Sequence, residues 1–256
     1  MLHKNILKPK AKELFDLLCD SPELDGLTLS GCTALALQIG HRVSLDFDFA
    51  QFGGTLPGFW IDQLMARLKR EGCKAQQITT SSEISQFKIN SGKNLLDYAR
   101  DYVINGVKVT FFIHGKSDQQ YEYYKSATKI KDPGMSFDIL GIEGLKVAKT
   151  LVLADRVLSR DLYDLYILMR DHDYTMSSLN TVVKELSTLD DLEHYKAVMR
   201  REIPLDKDDE GLEAVGLESE PEKMYDYYKE VINKYEVELA REHFQHKSPS
   251  SGRGFF

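Results

Sequence analysis

The spacing of apolar residues changes once along this chain, and that change limits its architecture more than any other feature. Through residue 114 the sequence mixes short strand-like runs with helical segments. From Ile142 onward the apolar period rises from two to about 3.6, the helical value. In the first part, Ala11, Leu14, Phe15, Leu17 and Leu18 sit at helical spacing across 9–19, and Asp20-Ser21-Pro22 ends the segment. Residues 27–30 read as a strand, 31–39 as a helix rich in small residues, and 45–50 as a second strand, with His41-Arg42 in the turn between. A helix over 57–71 stops at Gly72. Strand-like runs follow at 75–80, 84–90 and 102–114, the last broken by the turn pair Asn105-Gly106. The later part reads as helices over 141–157, 160–171, 176–186, 189–201 and 222–244. The expectation is an α+β fold: a mixed sheet with flanking helices, then an all-helical C-terminal domain. The domain change falls near Lys131-Asp132-Pro133-Gly134, giving a core at 1–133, a helical domain at 134–246, and a tail at 247–256 of disordered composition.

Charge narrows the partners. The formal net charge is −7 over 256 residues, with much of the acidity between 206 and 222. Phosphate contacts supply most non-specific nucleic-acid affinity, so broad coating of nucleic acid is disfavoured. A small charged substrate or a locally recognised RNA end stays within reach. No run is apolar enough to span a membrane, and Met1-Leu2-His3-Lys4-Asn5 lacks the pattern of a secretory signal. Cys19, Cys32 and Cys73 are scattered and odd in number, giving neither a disulfide framework nor a zinc spacing. A cytoplasmic protein with reduced thiols is the expectation.

The stretch from Leu29 to Phe49 carries the strongest chemical pattern. On a strand alternate residues face opposite sides, so Leu45, Phe47 and Phe49 turn to the core while Ser44, Asp46 and Asp48 share the other face. Two carboxylates at i and i+2 stand roughly 6.5–7 Å apart at the backbone, close enough for their oxygens to converge on one hard cation such as Mg²⁺. A helix beginning at Gly31 presents free amides to an anion, and Thr33 adds a hydroxyl. A solvated edge strand is the plain alternative. On the later helix, Lys149 and Arg156 fall two turns apart on one face with Lys146 nearby, suited either to phosphate oxygens or to a surface on which lysines reach solvent. Arg160 and Asp164 are spaced to pair on a helix surface. Asp161 either complements the helix dipole or orients Lys149 or Arg156.

These two regions together resemble the AbiEii-type nucleotidyltransferases, the abortive-infection toxins and their relatives. The first motif is Ser30-Gly31-Cys32-Thr33 followed by Ser44-Leu45-Asp46-Phe47-Asp48, and the second is Lys149…Arg156 followed by Arg160-Asp161-Leu162-Tyr163-Asp164. The resemblance implies a polymerase-β-like nucleotidyltransferase core and a helical C-terminal domain. It implies that Asp46 and Asp48 hold Mg²⁺, that Gly31 and Thr33 approach the phosphates, that Lys149 binds the triphosphate, and that Asp161 is a further active-site acid; the strand face and the helical spacing add Ser44 and Arg156 as nucleotide-binding residues. The implied reaction transfers NMP from an NTP to an RNA (tRNA-like), protein or small-molecule acceptor, and the implied partner is a cognate antitoxin. Two positions depart from the pattern: Cys32 stands where relatives carry glycine or serine, and Thr110 stands where many carry a third carboxylate. Those departures keep a second expectation alive, a non-catalytic nucleotide-sensing or partner-binding module on the same fold. His41 and His114 read as a turn residue and a strand-end residue ahead of metal ligands, with His41-Arg42 placed to contact a base or phosphate, and Tyr121, Tyr123 and Tyr124 read as a half-buried helical face ahead of a base-stacking platform.

Overall fold

The computed structural model describes residues 2–213, 216–217 and 221–247. The expected tail beyond 247 lies outside them. Helix α1 (Pro9–Cys19) starts with proline in its first turn and buries Ala11, Leu14, Phe15 and Leu18, the stripe its spacing requires. The chain continues through β1 (Thr28–Ser30), α2 (Gly31–Ile39), β2 (Phe47–Gln51), α3 (Gly58–Arg70), β3 (Ala75–Gln77), α4 (Ser81–Ser91), β4 (Ala99–Ile104), β5 (Val107–Ile113), α5 (Asp118–Ser126), β6 (Lys129–Ile130) and β7 (Asp138–Leu140). Five further helices complete it among the described residues: α6 (Ile142–Leu151), α7 (Ser159–Asp171), α8 (Met176–Leu186), α9 (Leu192–Met199) and α10 (Pro221–Lys247). The seven strands form one mixed sheet in the order β3-β4-β5-β2-β1-β7-β6. Strand β2 runs antiparallel to β1 and parallel to β5, while β7 runs parallel to β1. The change expected at 133–134 therefore falls inside the edge hairpin of the sheet, between β6 and β7.

Aromatic residues fill one face. Phe47 and Phe49, two apart on β2, turn to the same side. There Phe47 stacks on Phe15 of α1 at 5.9 Å, and Phe49 meets Phe111 at 5.6 Å and Phe137 at 5.0 Å. Asp48 is thereby committed to the opposite face. The strand begins at Phe47, so Asp46 lies in the approach to it, and Leu45 is only half-buried.

Two local expectations change. Residues 84–90 are helical, within α4. Thr80 caps the helix with a reciprocal box: its hydroxyl accepts from the Glu83 amide at 3.2 Å, and its own amide donates to the Glu83 carboxylate at 2.6 Å. Gly92 stops it in the left-handed conformation, and these two end signals override the strand-like alternation of a helix that buries none of its residues. The helix expected over 141–157 is shorter. After Leu151 the chain tightens into a 3-10 turn at Val152–Ala154, so Arg156 is not on the helix of Lys149. The acidic segment has a structural use here. Asp206 accepts from the Val157 amide at 3.0 Å and Asp209 from the Ser159 amide at 2.9 Å, satisfying donors at the start of α7. Tyr228 of α10, fully buried, donates to the Leu162 carbonyl at 2.5 Å and ties α10 to the same helix.

Candidate active site

The centre of the site follows from strand register. Ser30 pairs with Asp48 across β1 and β2, which sets the carboxylate beside the first turn of α2. Gly31, the first residue of that helix, has φ +68°, and a Cβ there would lie 2.6 Å from Asp48 Oδ2. Glycine is required twice, by its backbone conformation and by the close carboxylate. The N-cap residue Ser30 makes no side-chain cap, so it does not take up the first-turn amides of α2, and Ser30, Gly31 and Asp48 border one cavity.

Thr33 and Ser44, expected at the nucleotide, are both buried. Their hydroxyls bond at 2.6 Å, and Thr33 also donates to the Asp46 carbonyl. These bonds fix the segment that carries Asp46. Asp46 and Asp48 themselves border one recess of about 80 Å³, together with Ser44, Lys108, Arg156 and Arg160. Among the described residues neither carboxylate is hydrogen-bonded or ion-paired with another side chain. Burial raises the Asp46 carboxyl, and burial together with the Asp46 charge pushes Asp48 up to about 6.

Beside this recess lies a lattice of buried charge. Lys149 Nζ is 2.7 Å from Asp161 Oδ1 and 2.7 Å from Asp164 Oδ2, and it donates to Cys32 Sγ at 3.0 Å. Arg156 Nε donates to Asp161 Oδ2 at 2.9 Å. Arg42 grips both oxygens of Asp164, Nε at 2.6 Å and Nη2 at 2.9 Å, and His41 Nε2 donates to Asp164 Oδ1 at 2.7 Å. The surface pair expected between Arg160 and Asp164 does not form, because Asp164 faces inward with 0% exposure and Arg160 turns to Glu210. Burial would raise the Asp164 carboxyl, but the Arg42 and Lys149 charges outweigh it and hold it well below the usual range. Asp161 is likewise held down by Lys149 and Arg156 against its burial. Three cations (Arg42, Lys149, Arg156) against two anions (Asp161, Asp164) leave the lattice one positive charge in excess, next to the unpaired Asp46 and Asp48.

Cys32 departs from the pattern without blocking the cavity: its sulfur points into the lattice, and burial raises its thiol. Cys32, Asp161 and Asp164 present ligand atoms within 4.8 Å of one another, a grouping suited to a metal by proximity alone. The Lys149 ammonium already bonds all three residues, so a cation is built into that position. Asp46 and Asp48 have no protein cation bonded between them, so a hard divalent ion could be held there without displacing one.

Sequence reasoning missed one carboxylate. Thr110 pairs with Asp48 across β2 and β5, and Asp101 pairs with Thr110 across β4 and β5, so the three side chains form a row on one face. Thr110 donates to Asp101 Oδ1 at 2.7 Å. The signal was present in the turn. Asn105 and Gly106 both have positive φ, the mark of a two-residue hairpin, and such a loop pairs 104 with 107 and hence 101 with 110. The missed clamp of His41 and Arg42 on Asp164 spans more than 120 residues and left no local signal.

A larger cavity of about 490 Å³ opens on the same face, with Gly31, Asp48, Lys149, Arg156 and Asp161 in its wall. Its size suits a small-molecule ligand. A mixed sheet that starts a glycine-led helix beside two carboxylates, covered by the helices that carry Lys149 and Asp161, fits the nucleotidyltransferase class. The family model described as "Nucleotidyl transferase AbiEii toxin, Type IV TA system" matches residues 13–247, and the chain belongs to this nucleotidyltransferase family. An uncharacterized protein, aq_aa25, of Aquifex aeolicus (strain VF5) is 26% identical over 180 residues, covering 70% of this chain and 75% of that one. Among solved structures, JHP933 from Helicobacter pylori aligns over 91% of this chain and 96% of its own, with 19% identity and a TM-score of 0.43. MenT4, a nucleotidyltransferase toxin from Mycobacterium tuberculosis H37Rv, aligns over 71% and 70% with 13% identity and a TM-score of 0.40. No helix among the described residues is long and apolar enough to cross a membrane.

Proposed function

We propose that this nucleotidyltransferase transfers NMP from a Mg²⁺-bound NTP to an RNA, protein or small-molecule acceptor, acting in the cytoplasm as the toxin partner of a cognate antitoxin. The observation that carries the reading is the unpartnered pair Asp46 and Asp48, facing one recess beside the first-turn amides of α2. Two carboxylates desolvated together without a cation are held at a cost in stability, a common mark of a functional site. Asp46 and Asp48 would hold the ion, which when bound supplies charge neutralisation at the phosphates. The α2 amides beside Gly31 attract phosphate oxygens. Arg156, whose side chain is 46% exposed, reaches the cavity and offers its free guanidinium nitrogens to the same phosphates. Lys149 has its three protons engaged and lends the cavity its charge, while Asp161 fixes the positions of Lys149 and Arg156. Thr33 and Ser44 hold the Asp46 segment in place.

The test is NTP binding and pyrophosphate release with and without Mg²⁺, on wild type and on Asp46→Ala and Asp48→Ala. Metal-dependent binding and release lost in both variants is the expected result. Equal activity in the variants would remove the metal role from these residues. Binding without any pyrophosphate release would instead support the nucleotide-sensing module.

A further inference from the structure

A triphosphate in the large cavity would meet cations that are mostly committed elsewhere. Lys149 is 4% exposed and bonds Asp161, Asp164 and Cys32, so its departure would strand two buried carboxylates. Arg156 has only part of its guanidinium free, since its Nε donates to Asp161. A third cation borders the same cavity. Lys116 lies in the loop between β5 and α5, and its ammonium pairs with Asp155, which lies between α6 and α7 and borders the cavity as well. The two side chains are 51% and 41% exposed, so the pair sits at the rim, joining the sheet wall to the helical wall. Among the described residues each is the other's one ion-pair partner.

The backbone of Lys116 is fixed while its tip is not. Gly115 turns the chain with φ +106°, and a Cβ there would lie 2.9 Å from the Tyr121 ring. The Lys116 amide donates to Gln120 Oε1 at 2.9 Å, and the buried Gln120 donates in turn to the Leu186 carbonyl at 2.6 Å, tying the loop to the end of α8. The ammonium beyond is held by one half-exposed carboxylate, and an ion pair in contact with water contributes little. Water can solvate Asp155 once the lysine leaves, which the buried partners of Lys149 do not allow. Asp155 directly precedes Arg156 and both border the cavity, so a phosphate drawn to Arg156 comes close to the Lys116 ammonium.

We propose that Lys116 is a further phosphate-binding residue of the nucleotide site, whose ammonium exchanges the Asp155 carboxylate for a phosphate oxygen as the nucleotide enters. The inference rests on the nucleotide reading above and adds a residue from outside both sequence motifs. Asp155 competes with a single negative charge, so a polyphosphate displaces it better than a singly charged ligand does. The two members of the pair therefore act in opposite directions: Lys116 strengthens nucleotide binding, and Asp155 weakens it by holding the lysine back.

Titration calorimetry of ATP, GTP, CTP, UTP and inorganic tripolyphosphate, each with Mg²⁺, on wild type, Lys116→Met, Asp155→Asn and the double variant is the test. Both side chains are about half exposed, so all three variants should melt close to wild type. Lys116→Met is expected to weaken the preferred NTP and tripolyphosphate alike, by about tenfold. Asp155→Asn is expected to tighten both by about fivefold, because the lysine no longer leaves a partner and a repelling charge is gone. Lys116→Met should then cost about threefold more in the Asp155→Asn background than in wild type, the signature of a pair that breaks on binding. Weaker binding in both single variants would make the pair a brace between the walls and overturn the exchange. Equal cost of Lys116→Met in the two backgrounds would overturn it too, reducing the lysine to a distant charge. Loss of NTP affinity without loss of tripolyphosphate affinity would overturn the phosphate assignment. Unchanged binding in both single variants would remove Lys116 and leave the nucleotide site standing, whereas wild type that binds neither ligand would overturn the nucleotide reading itself.

Discussion

Replacing Asp48 with asparagine should make the metal-free protein more stable, and the size and pH dependence of the gain follow from its surroundings. Burial and the neighbouring Asp46 push the Asp48 carboxyl from 3.8 to about 6. Between these values the folded chain holds a proton that the unfolded chain releases, so folding is favoured there relative to higher pH. As pH rises through about 6 the folded state must carry the charge, and the full penalty is present at pH 8. A rise of roughly two pH units at about 1.36 kcal/mol each gives about 3 kcal/mol, an upper limit because the side chain keeps some solvent contact. A gain of about 1–3 kcal/mol remains, which for a chain of this size raises the melting temperature by about 2–12 °C. Asparagine keeps the shape and removes the charge. Calorimetric melts in EDTA at pH 8 and pH 4 are the assay, with the gain expected at pH 8 and absent at pH 4. Saturating Mg²⁺ and NTP should reverse the order, stabilising wild type alone. A variant less stable than wild type at pH 8 in EDTA, or one whose gain ignores pH, would refute the reasoning.

Asp164→Asn should behave in the opposite way. It takes one charge from a lattice in which Arg42, Lys149 and Asp164 have side-chain exposures of 1%, 4% and 0%, leaving two buried cations underneutralised. A loss of about 3–5 kcal/mol, or about 6–20 °C in melting temperature, is expected in thermal melts. Gly31→Ala places a side chain at φ +68° and 2.6 Å from Asp48 Oδ2. The backbone strain costs about 1–2 kcal/mol. Titration calorimetry should show Mg²⁺-dependent NTP binding weakened at least tenfold, a larger effect than the melting shift alone implies.

The element order was largely legible in the sequence, because burial imposes its period on each segment. The stripe of α1, the small residues of α2, the alternation of Phe47 and Phe49, and the helices after Ile142 all follow from which residues must leave water. The first motif was legible too, since Gly31 and Asp48, 17 residues apart, are brought together by one antiparallel return from β1 through α2 to β2. The error at α4 is instructive. An exposed helix has no apolar stripe to read, and only its capping box and terminal glycine mark it.

What the sequence alone determined is the set of groups with local causes: a glycine where φ must be positive, a carboxylate set opposite a core phenylalanine, and a turn that fixes the partner of Thr110. The tertiary structure alone decided which charges meet. Lys149 and Arg156 leave different elements yet converge on Asp161, and His41 with Arg42 crosses the molecule to hold Asp164. Thr33 turns inward to its neighbours, and Tyr124 is buried although it borders the cavity. Such pairings carry no periodicity, because the low dielectric of the interior selects partners by position in space, whatever their separation along the chain.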